Sequence, residues 1–291
     1  MNQIKCNICN QDKTKRLFTG KDLLYKIDST KFNIVQCLNC SLVYLNPQPT
    51  LEELKKYYPS NYKAYQPQKI NASSHKKKVN HKEDKSKLYF LDFGCGSGNQ
   101  LLEIKKNRPN WVLCGLDINE YACKQSQKEG LNIFCGKLED ANYKFNYFDI
   151  INLNNSLEHL NNPLKILQQL KKLLKPNGKI IIYGPNFHSL SAKIFKNKWF
   201  GLDCPRHLYH FTPKTINQLL EKAGFKTQKI EFDPNPKIFL KTLNYVFKCK
   251  NDKTNFILSY LFCWLFRPLG HLLAKFGLTS MMTITAKKLC I

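Results

Sequence analysis

Two groups of residues in this chain have the types and spacing to do chemistry. The first runs Asp92-Phe93-Gly94-Cys95-Gly96-Ser97-Gly98. Glycines at spacing two let a backbone turn tightly and approach a ligand with no side chain between. The apolar run Leu88 to Phe93 in front of them reads as a strand buried on both faces, and Leu101, Leu102 and Ile104 behind them recur at helical spacing over 99–107. A helix N-terminus behind such a loop offers free N–H groups to an anion. A second apolar run ends at Asp117, nineteen residues past Gly98, where a carboxylate can accept from a ribose diol. Together these predict a nucleoside-bearing cofactor.

The second group is Cys6-x-x-Cys9 and Cys37-x-x-Cys40. Each pair places two thiolates on one tight knuckle, and two knuckles complete a tetrahedral sulfur site, so a structural zinc is expected. Four cysteines leave no open coordination position, so the metal staples and does not catalyse. Between the knuckles, residues 16–35 read as short strands. The other eight of the twelve cysteines are scattered, which suits a reducing compartment.

Asp92 bears on which nucleoside binds. An acid two positions before the first glycine repels a pyrophosphate, but it can orient the cationic amino group of a methionine moiety. With that acid in place, the chain resembles the class I S-adenosylmethionine-dependent methyltransferases, whose first motif is acid-x-Gly-x-Gly-x-Gly. The four-cysteine knuckles, LVYLNPQPT and a Tyr-rich segment (Tyr57, Tyr58, Tyr62, Tyr65) are similar to the N-terminal module of one bacterial subgroup of them. The resemblance implies an α/β, Rossmann-like sheet of seven strands, the last antiparallel, with a small zinc-ribbon-like module in front. It implies S-adenosyl-L-methionine held by Asp92, Gly94, Gly96, Gly98 and Asp117. The adenine would lie beside Ile118, Leu138 and either Glu139 or Asp140, and the tyrosines would either close over the cofactor or simply pack the arm.

Phe148-Asp149-Ile150 through Asn154, with Leu157-Glu158-His159-Leu160, resembles the fourth motif of the same group. It places Asn154, Asn155, Glu158 and His159 at the carboxyl end of the sheet, where open α/β sheets bind ligands. Asp203-x-Pro205-Arg206-His207-Leu208-x-His210-Phe211-Thr212 again resembles the subgroup. Arg206, His207 and His210 are the expected substrate contacts, with His210 as general base, His159 beside substrate or cofactor, and structural hydrogen bonding as the bland alternative for each.

The elements that must position these residues follow from periodicity and caps. Helices are predicted over 99–107, about 119–129 (ended by Gly130), 163–175 (ended by the KPNG turn), and from the Thr212 cap and Pro213 to Gly224. Strands are predicted over 88–93, 111–117, 131–136, 147–155, 179–186, 226–232 and 278–289. The domain reading is a zinc module over 1–50, a helical Tyr-rich arm over 51–65, a Lys-rich linker over 66–87 and a methyltransferase domain over 88–291. Within the last, 186–212 reads as a lid and 240–278 as an apolar helical insertion. Its run FILSYLFCWLF (256–266) is too short to span a bilayer and reads either as a roof over the site or as a membrane-facing anchor.

Net charge is +25, which invites a nucleic-acid reading, yet only four of the 46 basic residues are arginine (Arg16, Arg108, Arg206, Arg267). Bidentate readout of phosphates and bases favours arginine, so the charge reads as a lysine-covered surface. The N-terminus shows no apolar leader, which points to the cytoplasm, with peripheral contact at the inner membrane face through 256–278 as an option. The expected acceptor is a small molecule, a glycan precursor or a lipid-linked compound. The rivals are an RNA methyltransferase gripping phosphates with its lysines and a non-catalytic cofactor-binding or zinc interaction protein. Asp92 and the antiparallel last strand disfavour a nicotinamide-dependent oxidoreductase.

Overall fold

The computed structural model describes residues 1–66, 87–247 and 266–289. The run over 256–266 and the stretch over 66–87 therefore fall, but for their ends, outside the described residues. The central layer is a seven-stranded sheet of β4 (Tyr89–Phe93), β5 (Val112–Asp117), β6 (Asn132–Cys135), β7 (Phe148–Asn154), β8 (Leu174–Pro185), β10 (Phe225–Phe232) and β11 (Met281–Lys288). Their order across the sheet is β10-β11-β8-β7-β4-β5-β6. β6, β5, β4, β7 and β8 pair in parallel, while β11 inserts antiparallel to both β8 and β10. The chain reverses its winding at β4, so the glycine loop opens at the crevice where such sheets bind ligands.

Side-chain caps fix where the covering helices start. Asn119 accepts from the Ala122 N–H ahead of α3 (Glu120–Lys128), and Asn162 accepts from the Lys165 N–H with Pro163 opening α4 (Pro163–Leu173). Thr212 and Thr215 cap each other's backbone at α6 (Pro213–Lys222). One expected boundary moves. β8 begins at Leu174, directly after α4, and its pairing with β7 jumps from Phe148↔Leu174 to Ile150↔Lys179. The KPNG stretch (175–178) is therefore a bulge inside a strand; Leu174 is fully buried, and its apolar contact holds the backbone in register before the turn residues act.

The N-terminal residues build a second sheet from β1 (Thr14–Gly20), β2 (Phe32–Cys37) and β3 (Val43–Leu45). Residues 21–27, expected to continue as strand, instead loop around Asp22, whose carboxylate accepts from the N–H groups of Leu24, Tyr25 and Ile27. The fourth strand of this sheet comes from far along the chain. β9 (Tyr209–His210) pairs with β3 as Val43↔His210 and Tyr44↔Tyr209. One apolar cluster accordingly runs unbroken from Cys6, Ile34 and Tyr44 to Leu91, Leu153 and Ile182. The segment over 186–212, expected as a lid, is a packed joint that includes the short α5 (Leu190–Phe195). It buries Trp199, Arg206, Leu208 and Tyr209 to within 1% exposure, more than a cover over an open pocket permits.

Candidate functional site: a glycine loop and a polar rim under a tyrosine arm

Gly94, Gly96 and Gly98 all take left-handed φ values, +76°, +53° and +73°. A Cβ on Gly94 would stand 2.5 Å from Ser156 Oγ and one on Gly96 2.6 Å from the Ala64 carbonyl oxygen, so space and conformation both demand glycine. The Gly96 N–H donates to Asp117 Oδ2 at 2.8 Å, and the Asn119 N–H donates to Oδ1 at 2.9 Å. Each Asp117 oxygen keeps a further lone pair for a diol hydroxyl. Burial raises its pKa, against the pull of those N–H donors.

Asp92 is buried at the floor of the loop. Burial pushes its carboxyl up to about 6, opposed by the Asn152 amide and reinforced by the Asp117 charge. Asn152 Nδ2 donates to Asp92 Oδ1 at 2.8 Å, and Gln100 Oε1 accepts from Asn152 at 3.3 Å and from Asn154 Nδ2 at 2.7 Å. This chain of amides links the first helix turn to the end of β7. Gln100 and Asn152 escaped the sequence reading, although Gln100 faces the groove at the second position of α2 (Asn99–Asn107).

Ile118 stands 70% exposed just past Asp117, an unusual place for an aliphatic side chain and a suitable face for a flat ring. Leu138 is buried in the apolar core. Glu139, one of the two carboxylates expected beside the adenine, is paired at the surface: its Oε1 is 2.9 Å from Lys165 Nζ on α4, and that ammonium holds its pKa below the usual carboxylate range. Asp140, the other candidate, is exposed.

An arm that follows α1 (Leu51–Lys55) closes this groove. The Ala64 carbonyl accepts from the Ser97 N–H at 3.2 Å, and Ser97 Oγ donates to the Gln66 carbonyl at 3.0 Å. Tyr58, Tyr62 and Tyr65 pack edge-on, with centroids 5.1 Å apart for the first pair and 4.9 Å for the second. The groove suits S-adenosylmethionine on three observations: a cradle that a Cβ would fill, a buried carboxylate below it, and a diol acid with spare lone pairs.

At the β7 end the expected catalytic residues separate. Arg206 is a fold residue: it is wholly buried, with Nε 3.1 Å from both Asp203 oxygens, one terminal nitrogen on the Tyr57 carbonyl at 3.0 Å, and the other 2.8 Å from Asp22 and 2.6 Å from Asp203. Four of its five N–H donors are taken and the side chain is wholly enclosed, so the guanidinium offers no open face to a substrate carboxylate or phosphate. His210 lies inside β9 against Phe187, and burial drives its pKa down to about 3, which makes it a poor proton acceptor near neutrality. His159, Glu158 and His207 do converge, their ligand atoms all within 4.8 Å of one another. His159 Nδ1 is 3.1 Å from both the Tyr58 hydroxyl and the Arg206 carbonyl, and burial, helped by the nearby His207 charge, lowers its pKa to about 3.

The four knuckle cysteines also meet. Cys6 and Cys40 sulfurs lie 3.3 Å apart, Cys9 and Cys37 sulfurs 3.5 Å apart, and all four fall within 4.8 Å of one another. A tetrahedral ion with 2.3 Å bonds to sulfur needs its ligands about 3.8 Å apart, which this set meets by small shifts. Burial raises the Cys40 thiol to about 11, a cost that a bound cation removes.

Seven strands in this order, an antiparallel insertion, the glycine loop and the diol acid define a class I S-adenosylmethionine-dependent methyltransferase. Comparison with known proteins agrees: the model of the methyltransferase domain family matches residues 62–230, more than half of the chain, and the chain belongs to that family. Among curated relatives, an uncharacterized protein of Methanocaldococcus jannaschii is 29% identical over 139 residues, covering 48% of this chain and 65% of the relative. The ubiquinone biosynthesis O-methyltransferase of Coxiella burnetii is 27% identical over 132 residues, covering 43% and 53%. The chain thus spans about half to two thirds of the length of these relatives. A chain of the Haloferax volcanii complex between the Trm112 methyltransferase activator and a methyltransferase shares the fold, with a TM-score of 0.50, 13% identity, and coverage of 70% of this chain and 83% of that one. No helix among the described residues is long and apolar enough to cross a membrane.

Proposed function

We propose that this chain methylates an oxygen of a small-molecule or lipid-linked acceptor, and that its four-cysteine cluster carries a structural zinc. The observation that supports a compact acceptor is the cover over the groove. The arm touches the glycine loop through Ala64 and Gln66 and reaches the far rim through Tyr58 and His159. A nucleic acid needs an open basic face instead. The curated relatives named as ubiquinone biosynthesis O-methyltransferases favour an oxygen acceptor.

S-Adenosylmethionine, when bound, supplies an activated methyl group; the protein's part is to align the partners and exclude water. Asp117 would hold the diol and Asp92, through its amide chain, the amino group. Glu158, His159 and His207 face the acceptor side, with His159 and His207 in the place first given to His210. The test is to incubate the protein with S-adenosylmethionine labelled in the methyl group and with fractionated lipid, small-molecule and RNA extracts. Label in a lipid or small-molecule fraction, as a base-stable ether, supports the reading. Label in RNA, or none with cofactor bound, overturns it.

A further inference from the structure

We propose that Glu158, His159 and His207 form a second metal site, distinct from the cysteine cluster, built for a divalent first-row cation. The three side chains come from two segments that meet only in the fold. Glu158 and His159 lie in the turn after β7, and His207 lies in the joint that leads to β9. A Glu158 oxygen and one ring nitrogen of each histidine lie within 4.8 Å of one another. Two imidazoles and one carboxylate form a ligand set for Zn²⁺, Fe²⁺, Mn²⁺ or Co²⁺, and three protein ligands leave positions open.

Three features separate this group from a chance cluster. Glu158 is 3% exposed, and its Oε1 has no hydrogen-bond partner. A buried carboxylate oxygen without a donor costs several kcal/mol unless a cation meets it. His207 Nε2, at 3.9 Å, is too far for a hydrogen bond, and the hydrogen bonds of Arg206 go to Asp203, Asp22 and the Tyr57 carbonyl, not to Glu158. The histidines are also set as ligands are. His207 Nδ1 lies 2.9 Å from the Gly201 carbonyl, and His159 Nδ1 lies 3.1 Å from the Arg206 carbonyl. A carbonyl only accepts, so His207 Nδ1 carries the proton and its Nε2, 3.9 Å from Glu158 Oε1, keeps the lone pair, while the Arg206 carbonyl and the Tyr58 hydroxyl together fix the His159 ring, the way neighbouring groups orient metal-bound histidines. Finally, Asp203 Oδ2 stands 3.9 Å from His207 Nε2, adding negative charge around the cluster.

The two clusters differ in chemistry, which makes them separable. Thiolates take soft or borderline ions, whereas an imidazole and carboxylate set also accepts Mn²⁺. Full-length protein carrying one zinc per chain, with weaker-held metal removed by brief chelation, should be titrated with Mn²⁺, read by the loss of the free-ion electron paramagnetic resonance signal. A parallel titration with Co²⁺ is read by visible bands without thiolate charge transfer. One ion per chain is expected to bind in at least one titration, and Glu158→Gln and His207→Asn should each weaken it more than about tenfold. Zinc content and thermal midpoint report whether each variant folds, and His159→Asn, at a half-buried position, replaces any variant that does not. His210→Asn, outside the triad, should bind as the parent does. No bound ion in either titration, or unchanged affinity in the folded triad variants, overturns the proposal.

Discussion

Arg206→Met tests whether the buried guanidinium holds the fold or touches substrate. Arg206 and Asp22 side chains are wholly buried and Asp203 is 12% exposed, with the closest contacts at 2.6 and 2.8 Å. Removing the cation leaves two buried carboxylates facing each other without a partner. Breaking one buried pair costs about 3–5 kcal/mol. At about 2–4 °C per kcal/mol for a domain of this size, the thermal midpoint should fall by roughly 6–20 °C. Differential scanning calorimetry reads this directly. The triple variant Asp22→Asn, Asp203→Asn, Arg206→Met removes the unpaired charges and should recover part of the loss, because a neutral replacement of a whole buried network is often tolerated. Acid should expose the same network. Burial, the largest single influence, raises the Asp203 pKa, but the charge and hydrogen bonds of Arg206, with the neighbouring histidines, together lower it, so its stabilisation is present above the unfolded carboxylate value and is lost as pH falls through the lower folded one. A midpoint unchanged within about 2 °C, with methyl transfer abolished, would refute this reasoning and return Arg206 to the substrate.

Two further outcomes follow from the site. Asp92 is neutral below about 6 and charged above, so affinity for S-adenosylhomocysteine, measured by calorimetry, should rise as pH increases through 6; Asp92→Asn should flatten that rise and weaken binding at pH 7.5 by about tenfold or more. Cys37→Ser should release the cysteine-bound metal, seen as lost zinc by elemental analysis, and should lower the thermal midpoint, because Cys37 ends β2 and its N–H is bonded to Leu42 ahead of β3.

The glycine loop and the knuckles were legible because each is local. Their spacing alone fixes which backbone groups point together, and Gly94, Gly96, Gly98 and the four cysteines meet as expected. Asp203 stands three residues from Arg206 in the same motif, but the second carboxylate was not legible, since Asp22 is far away in the chain and nothing in either segment names the other. β9 is two residues long and has no periodicity to read, so His210 seemed free when its backbone was already committed to β3. Glu139 sits at a sensible position for an adenine contact, but Lys165, on a helix 26 residues away, competes for it. Sequence patterns locate backbone cradles well; they misassign side chains whose fate is set by a distant charge.

The pairing of β3 with β9 also bears on the chain's birth. At the usual pace of synthesis, Val43 and Tyr44 leave the ribosome on the order of ten seconds before Tyr209 and His210 exist to meet them. All four knuckle cysteines are out by then, so metal can seat the first three strands early while the outer edge of β3 still shows bare N–H and C=O groups. An open edge of that kind recruits strands from neighbouring chains. Nascent chains halted before Tyr209 should therefore be more prone to self-association than those halted after Phe211.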